Sequence, residues 1–164
     1  MNIKTIDRPA VTLVGLQIRT RPQSPEIPAL WPKFVARIGE IHGQSEPKVT
    51  YGAMWPGKEG MHVLHYMAAV AVAGPVRVLP PGMDCIVLPA GIYASFSYPL
   101  SGLGKGFAEI FDTLLPNSGY EQIPGVFFER YDEAFCPDDA NSAVGICLPV
   151  RRRGARAGAR GLSA

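Results

Sequence analysis

Along the chain, β-branched and aromatic runs alternate with stretches of helical spacing, and both halves place them in the same order. Pro9 to Ile18 is a β-branched-rich run bounded by Pro9 and by Arg19-Thr20-Arg21-Pro22, and it predicts a strand. Leu30, Trp31, Phe34, Val35, Ile38 and Ile41 then recur at the three-and-four spacing of one helical face. That spacing predicts a helix from about Ala29 to His42-Gly43, with Pro32 in its first turn, where a missing N–H costs no bond, and His42 near its C-terminal cap. Two further strands, Val49 to Trp55 and Val63 to Val72, flank the turn Pro56-Gly57-Lys58-Glu59-Gly60. After a Pro-rich connector, Gly74 to Gly82, the order repeats. A strand from Pro89 to Phe96 opens with the same Pro-Ala pair as Pro9-Ala10. A helix carrying Leu103, Phe107, Ile110, Phe111, Leu114 and Leu115 stops at Pro116-Asn117-Ser118-Gly119, and strands Val126 to Asp132 and Val144 to Val150 follow.

The unit is strand–helix–strand–strand, used twice with a period of about eighty residues. One unit alone covers a single sheet face with a single helix, which is marginal at that size. The expected fold is therefore α+β: two tandem modules, about residues 8–73 and 83–150, joined into one pseudo-twofold antiparallel sheet with two main helices and a central groove. Grooves between repeated modules are favoured sites for small molecules.

Composition narrows the function classes. The chain has 164 residues with 47% hydrophobic positions, enough for one packed domain. The formal charge of +2 hides an asymmetry: residues 151–164 hold five arginines and no acid, so residues 1–150 are net −3. Whole-domain nucleic-acid binding by a basic face is a poor fit, and the arginines are expected in a flexible tail whose only plausible ligands are phosphates, held non-specifically. There is no apolar leader, and the run from Tyr66 to Ala73 falls far short of a membrane span of about 20 residues. Cys85, Cys136 and Cys147 are an odd set without a disulfide framework. A cytoplasmic protein with reduced thiols and no membrane contact is expected.

The richest chemistry lies in Val126-Phe127-Phe128-Glu129-Arg130-Tyr131-Asp132. On a strand, Phe127, Glu129 and Tyr131 share one face and Phe128 and Arg130 the other. A carboxylate between two aromatic rings is either bridged to an arginine or solvated at an edge, or else it awaits a cation, since an unpaired buried charge costs several kcal/mol. Aromatic walls around one negative charge suit flat cationic organic molecules. Tyr51 and Trp55, four apart on one strand face, and Tyr66, Tyr93, Phe96 and Tyr98 are further candidates for the groove, or for the core. His62 and His65 would face opposite ways on a strand and nothing else stands at metal spacing, so no metal is expected. Gly102-Leu103-Gly104-Lys105-Gly106 lacks phosphate-loop spacing, and no cofactor is implied.

Several short motifs, in order, resemble a known family: Leu30-Trp31-x-x-Phe34, Tyr51-Gly52, Pro89-Ala90-Gly91-x-Tyr93-Ala94, Leu114-Leu115-Pro116-x-Ser118-Gly119-Tyr120, Phe128-Glu129-Arg130-Tyr131 and Ile146-x-Leu148-Pro149-Val150. Over about residues 8–150 the chain resembles the GyrI-like small-molecule-binding domain, also found as the effector-binding half of AraC-type and MerR-type multidrug-sensing regulators. The resemblance implies tandem modules with a ligand groove between them, and a strand glutamate, here Glu129, that bears the counter-charge for cationic aromatic drugs and dyes. The regulators add a helix-turn-helix, and with only eight residues before Pro9 no DNA-binding domain is expected here.

Three functions follow. The leading one is a stand-alone binder that senses or sequesters aromatic, often cationic compounds, with Glu129, Tyr51, Trp55, Tyr66, Phe96, Tyr98, Phe127 and Tyr131 around the ligand. The second is a hydrolase of electrophilic cyclopropane-bearing natural products, with Glu129 as general base aiming a water. The third is a gyrase-interacting inhibitor. A homodimer and gyrase are the protein partners left open.

Overall fold

The long strands of both modules are present, and each module's first one is preceded by a short strand that the hydrophobic pattern does not mark. The computed structural model describes residues 3–154, apart from the side chain of Met61. In chain order the elements are β1 (Lys4–Arg8), β2 (Val11–Thr20), α1 (Glu26–Val35), β3 (Thr50–Gly57), β4 (Gly60–Val72), β5 (Asp84–Leu88), β6 (Gly91–Pro99), α2 (Leu103–Glu109), β7 (Tyr120–Gln122), β8 (Phe127–Tyr131) and β9 (Ala143–Arg152). The last residues of the arginine-rich tail, 155–164, lie outside the described residues. Arg151 and Arg152 do not belong to a tail: they continue β9, where Arg151 pairs with Glu121 at 2.9 Å and Arg152 lies over the Tyr120 ring.

The strands form one curled antiparallel sheet in the order β1-β6-β9-β8-β3-β4-β2-β5, with β7 added to the end of β9. Exchanging each strand for its counterpart in the other module reverses this order onto itself, which is the expected pseudo-twofold. The modules join where β3 pairs with β8, and the five pairs from Thr50–Tyr131 to Met54–Phe127 centre on Gly52 opposite Glu129. The leading strands are exchanged: β1 pairs with β6 of the second module, and β5 with β2 of the first. Both short strands are edges: β1 mixes polar and apolar residues and β5 is a short apolar run after Asp84, so neither shows a clean alternation.

Alternation along the long strands divides the core in two. Val14, Met54, Tyr66, Phe127, Ile146 and their neighbours pack on the face that carries both helices. Leu13, Tyr51, Met67, Tyr93, Phe128 and Cys147 form a second cluster on the opposite face. Cys147 is thus a small buried hydrophobe, whereas Cys85 and Cys136 are exposed; all three are free thiols.

The first helix differs from expectation. It begins at Glu26, behind Pro25, with the Ser24 hydroxyl accepting from the Glu26 N–H at 3.2 Å, and it ends at Val35. Pro32 therefore sits inside the helix and leaves the carbonyl one turn earlier without its helical donor. A separate 3₁₀ turn, Ile38–Glu40, brings Ile38 and Ile41 to the same core, so the apolar spacing is real although the helix is not continuous. His42, far from the helix end, is exposed and caps nothing. The second helix also changes form, passing at Ile110–Leu114 into a π turn closed by the Leu115 N–H on the Ile110 carbonyl at 2.9 Å.

Candidate functional site

Glu129 lies at the centre of the seam, on the helix face, and is only 7% exposed. Its cross-strand partner, Gly52, has no side chain, and a Cβ built there would stand 2.5 Å from Glu129 Oε1 and 2.2 Å from the Tyr66 hydroxyl. The bare glycine is what lets both groups meet on the axis. Tyr66 donates to Oε1 at 2.7 Å and Tyr131 donates to the same oxygen at 2.9 Å. Trp31 Nε1 donates in turn to the Tyr66 hydroxyl at 3.1 Å, and its indole meets the Tyr131 ring edge-on at 5.3 Å. The result is a donor relay, Trp31 to Tyr66 to Glu129, that aims and fixes one carboxylate oxygen.

The other oxygen is free. Among the described residues no group donates to Glu129 Oε2, yet no buried polar side-chain atom there lacks a partner. Oε2 is therefore the oxygen that opens onto space. Burial pushes the Glu129 carboxyl above its ordinary value, and the two tyrosine donors pull partly back. Burial and the neighbouring carboxylate hold the Tyr66 and Tyr131 phenols far above theirs, so both remain protonated donors.

The space in question is a cavity of about 660 Å³ between the start of α1 and α2, within the range that accepts drug-sized molecules. Met54, Leu64, Phe107, Phe111 and Phe127 form its apolar wall, with Tyr66 and Glu129 at its floor. Among the described residues, Asp112 and Glu129 are its only charged lining residues, and no lysine, arginine or histidine lines it. Two clefts of similar size, about 530 Å³ and 640 Å³, lie under the Pro-rich connector and beside Arg130. Size does not separate the three; the aromatic wall around a buried carboxylate does.

A family model, that of the GyrI-like small molecule binding domain, matches residues 1–151. The chain belongs to this family. Among its relatives, the transcriptional regulator BrlR of Pseudomonas aeruginosa is 34% identical over 155 residues, covering 92% of this chain and 56% of BrlR. The chain thus spans little more than half the length of that relative. Among solved structures, SAV2435 bound to tetraphenylphosphonium superposes with a TM-score of 0.71 at 18% identity, covering 92% of this chain and 94% of that one. The C-terminal domain of EcmrR gives 0.64 at 14%, covering 92% and 98%. At these identities the likeness is one of fold.

Within this GyrI-like domain, the residues singled out from sequence divide into three groups. Glu129, Tyr66 and Phe127 line the cavity, and Tyr131 touches Glu129 directly. Phe96 and Tyr98 are on the helix face but packed beside α2 rather than on the cavity: the Tyr98 ring fills the space over Gly106, and its hydroxyl donates to Glu109 at 2.9 Å. Tyr51 and Trp55 lie on the opposite face, because Gly52 and Met54 take the helix side of β3. Tyr51 donates to Glu46 Oε2 at 2.5 Å beside Arg130, Trp55 stacks on His65 at 5.4 Å, and Tyr93 donates to the Pro89 carbonyl. Sequence reasoning missed Gly52, Met54 and Leu64 as site residues, and took Trp31, Phe107 and Phe111 for core only. The four-residue spacing of Phe107 and Phe111 marked a helix face without showing that part of it faces empty space.

Among the described residues no helix is long and apolar enough to cross a membrane, and no three His, Cys, Asp or Glu side chains cluster as metal ligands.

Proposed function

We propose that this domain binds small aromatic, often cationic compounds in the cavity between its helices, with Glu129 as their counter-charge, and so senses or sequesters them. The observation that carries this reading is that, among the described residues, nothing donates to Oε2 at the floor of an aromatic-walled cavity and no basic side chain lines it. Removing a carboxylate from water costs several kcal/mol unless another charge replaces the lost hydration. A cation with an apolar, ring-bearing body supplies that charge while burying its own surface against Phe107, Phe111 and Phe127, where ring faces add cation–π attraction. Tyr66 and Tyr131 hold the carboxylate in place before the ligand arrives, which lowers the ordering cost of binding. The regulator BrlR and the tetraphenylphosphonium-bound SAV2435 support the reading by analogy. Sensing requires a partner that reads the occupied state; sequestration requires none.

The test is a calorimetric titration of tetraphenylphosphonium and its neutral analogue triphenylphosphine oxide into wild type and Glu129→Gln. The cation is expected to bind the variant about tenfold more weakly, and the neutral compound to bind both proteins within about twofold. Equal cation binding by both proteins removes Glu129 from the role of counter-charge. A hydrolytic role also has one observation in its favour, since a free oxygen on a carboxyl shifted upward suits proton abstraction from water. Mass spectrometry of electrophilic cyclopropane compounds after incubation separates the two, with unchanged compound expected of a binder.

A further inference from the structure

We propose that Asp112 is a second counter-charge, placed at the mouth of the cavity, and that it makes the domain favour aromatic dications over monocations of the same ring system. The inference rests on the reading of Glu129 as the counter-charge at the floor, and it extends that reading from one charge to two.

The two acids line one cavity at different degrees of burial. Glu129 is buried in the sheet, whereas Asp112 is exposed on the helical wall above it, and both line the cavity. Between them the wall is apolar and aromatic, carried by Phe127 low down and by Phe107 and Phe111 on the helix. Asp112 follows Phe111 inside the π turn, which is closed by the bond from Leu115 to Ile110. Ile110 is fully buried there and anchors the turn, while the two residues after it reach the cavity. Turns of this kind inside helices are frequent at functional sites.

Asp112 is also uncommitted. Among the described residues it takes part in no side-chain hydrogen bond and no ion pair, whereas Glu46, Glu59 and Glu121 each hold an arginine. Among the described residues no basic side chain lines the cavity to balance either charge. A monocation seated on Glu129 leaves Asp112 to solvent. A molecule with a cationic ring at the floor and a second cation on an arm toward the mouth balances both. Because Asp112 is exposed, its contribution is modest and falls with ionic strength, whereas that of Glu129 is screened less.

Ethidium and propidium separate these contributions, since they share one phenanthridinium ring and propidium adds a quaternary ammonium on a propyl arm. Fluorescence titrations of both dyes into wild type, Asp112→Asn and Glu129→Gln, at low and at high salt, read the ratio of the two affinities. At low salt Asp112→Asn is expected to weaken propidium about threefold and to leave ethidium unchanged. High salt is expected to erase the same margin from wild type. Glu129→Gln is expected to weaken both dyes together. A propidium-to-ethidium ratio that does not move in Asp112→Asn, or an equal loss for both dyes, overturns the role of Asp112 while leaving Glu129 in place. Failure of both dyes to bind wild type, or indifference of both to Glu129→Gln, overturns the reading of the floor and the mouth with it. Asp112 is exposed and unpaired, so the variant is expected to melt with wild type, and a melting curve confirms that a change in ratio reports the site.

Discussion

Glu129 is tolerated because the structure meets half of its needs and leaves the other half open. Tyr66 and Tyr131 satisfy one oxygen, Gly52 clears the space for that meeting, and the second oxygen stands in the cavity. With its folded-state carboxyl shifted upward by burial, the charged form is the one the empty fold disfavours. That cost is absent below the free-chain value of 4.5 and grows as pH rises through the folded value. The groups facing Glu129 are the Tyr66 and Tyr131 phenols, with Asp112 at the mouth, and none is a base that would reverse the sign. Without ligand, Glu129→Gln is therefore expected to raise stability by on the order of 1 kcal/mol, or about 2–4 °C, near pH 8. Differential scanning fluorimetry across pH is expected to show the gain shrinking to nothing by about pH 4. A variant that melts with or below wild type at every pH shows instead that the carboxylate is already balanced in the empty protein. Period-two alternation put Phe127, Glu129 and Tyr131 on one face correctly, because that is a local property of β8. It could not say whether Tyr51 and Trp55 shared that face, because the answer depends on the register of β3 against β8.

Among the elements, the helices show how a spacing can be read rightly and a boundary wrongly. The apolar stripe of α1 continues into the 3₁₀ turn at Ile38–Glu40, so burial alone gives no sign of the break. Ser24 and Pro25 mark the start earlier than Ala29, and Pro32 falls inside the helix. Pro32 is exposed, so it adds little packing to offset its missing hydrogen bond. Pro32→Ala is expected to stabilise the domain by about 1–2 kcal/mol in urea unfolding, the gain in helix propensity being partly offset by a freer unfolded chain. An unchanged or lower midpoint means that the fixed backbone angle of Pro32 helps set the direction of the helix. β1, β5 and β7 escaped notice for a different reason. They are short, of three to five residues, and lie at edges, where nothing forces an apolar rhythm.

Across the whole molecule, the twofold order of the sheet was legible because it repeats in the sequence, down to the shared Pro-Ala pairs. The exchange of leading strands was not, since nothing in a strand's own residues names the strand it will join. That exchange ties Lys4–Arg8 to β6, and Arg8 extends across the second core to lie 5.1 Å from the centre of the Phe128 ring. Removing residues 1–8 is expected to strip hydrogen-exchange protection chiefly from β6, in the second module, while the β3–β4 hairpin stays protected. Loss confined to the first module shows that β1 does not brace β6.

The same exchange sets a sequence of events during synthesis. As the nascent chain leaves the ribosome, the outer edge of β2 stays unpaired until residues 84–88 have emerged, and β1 has nowhere to dock until β6 follows it. Neither half can finish without the other. Folding is deferred until β9 has emerged and is paced by contacts between distant residues, and either half made alone has an open edge with the surface to aggregate.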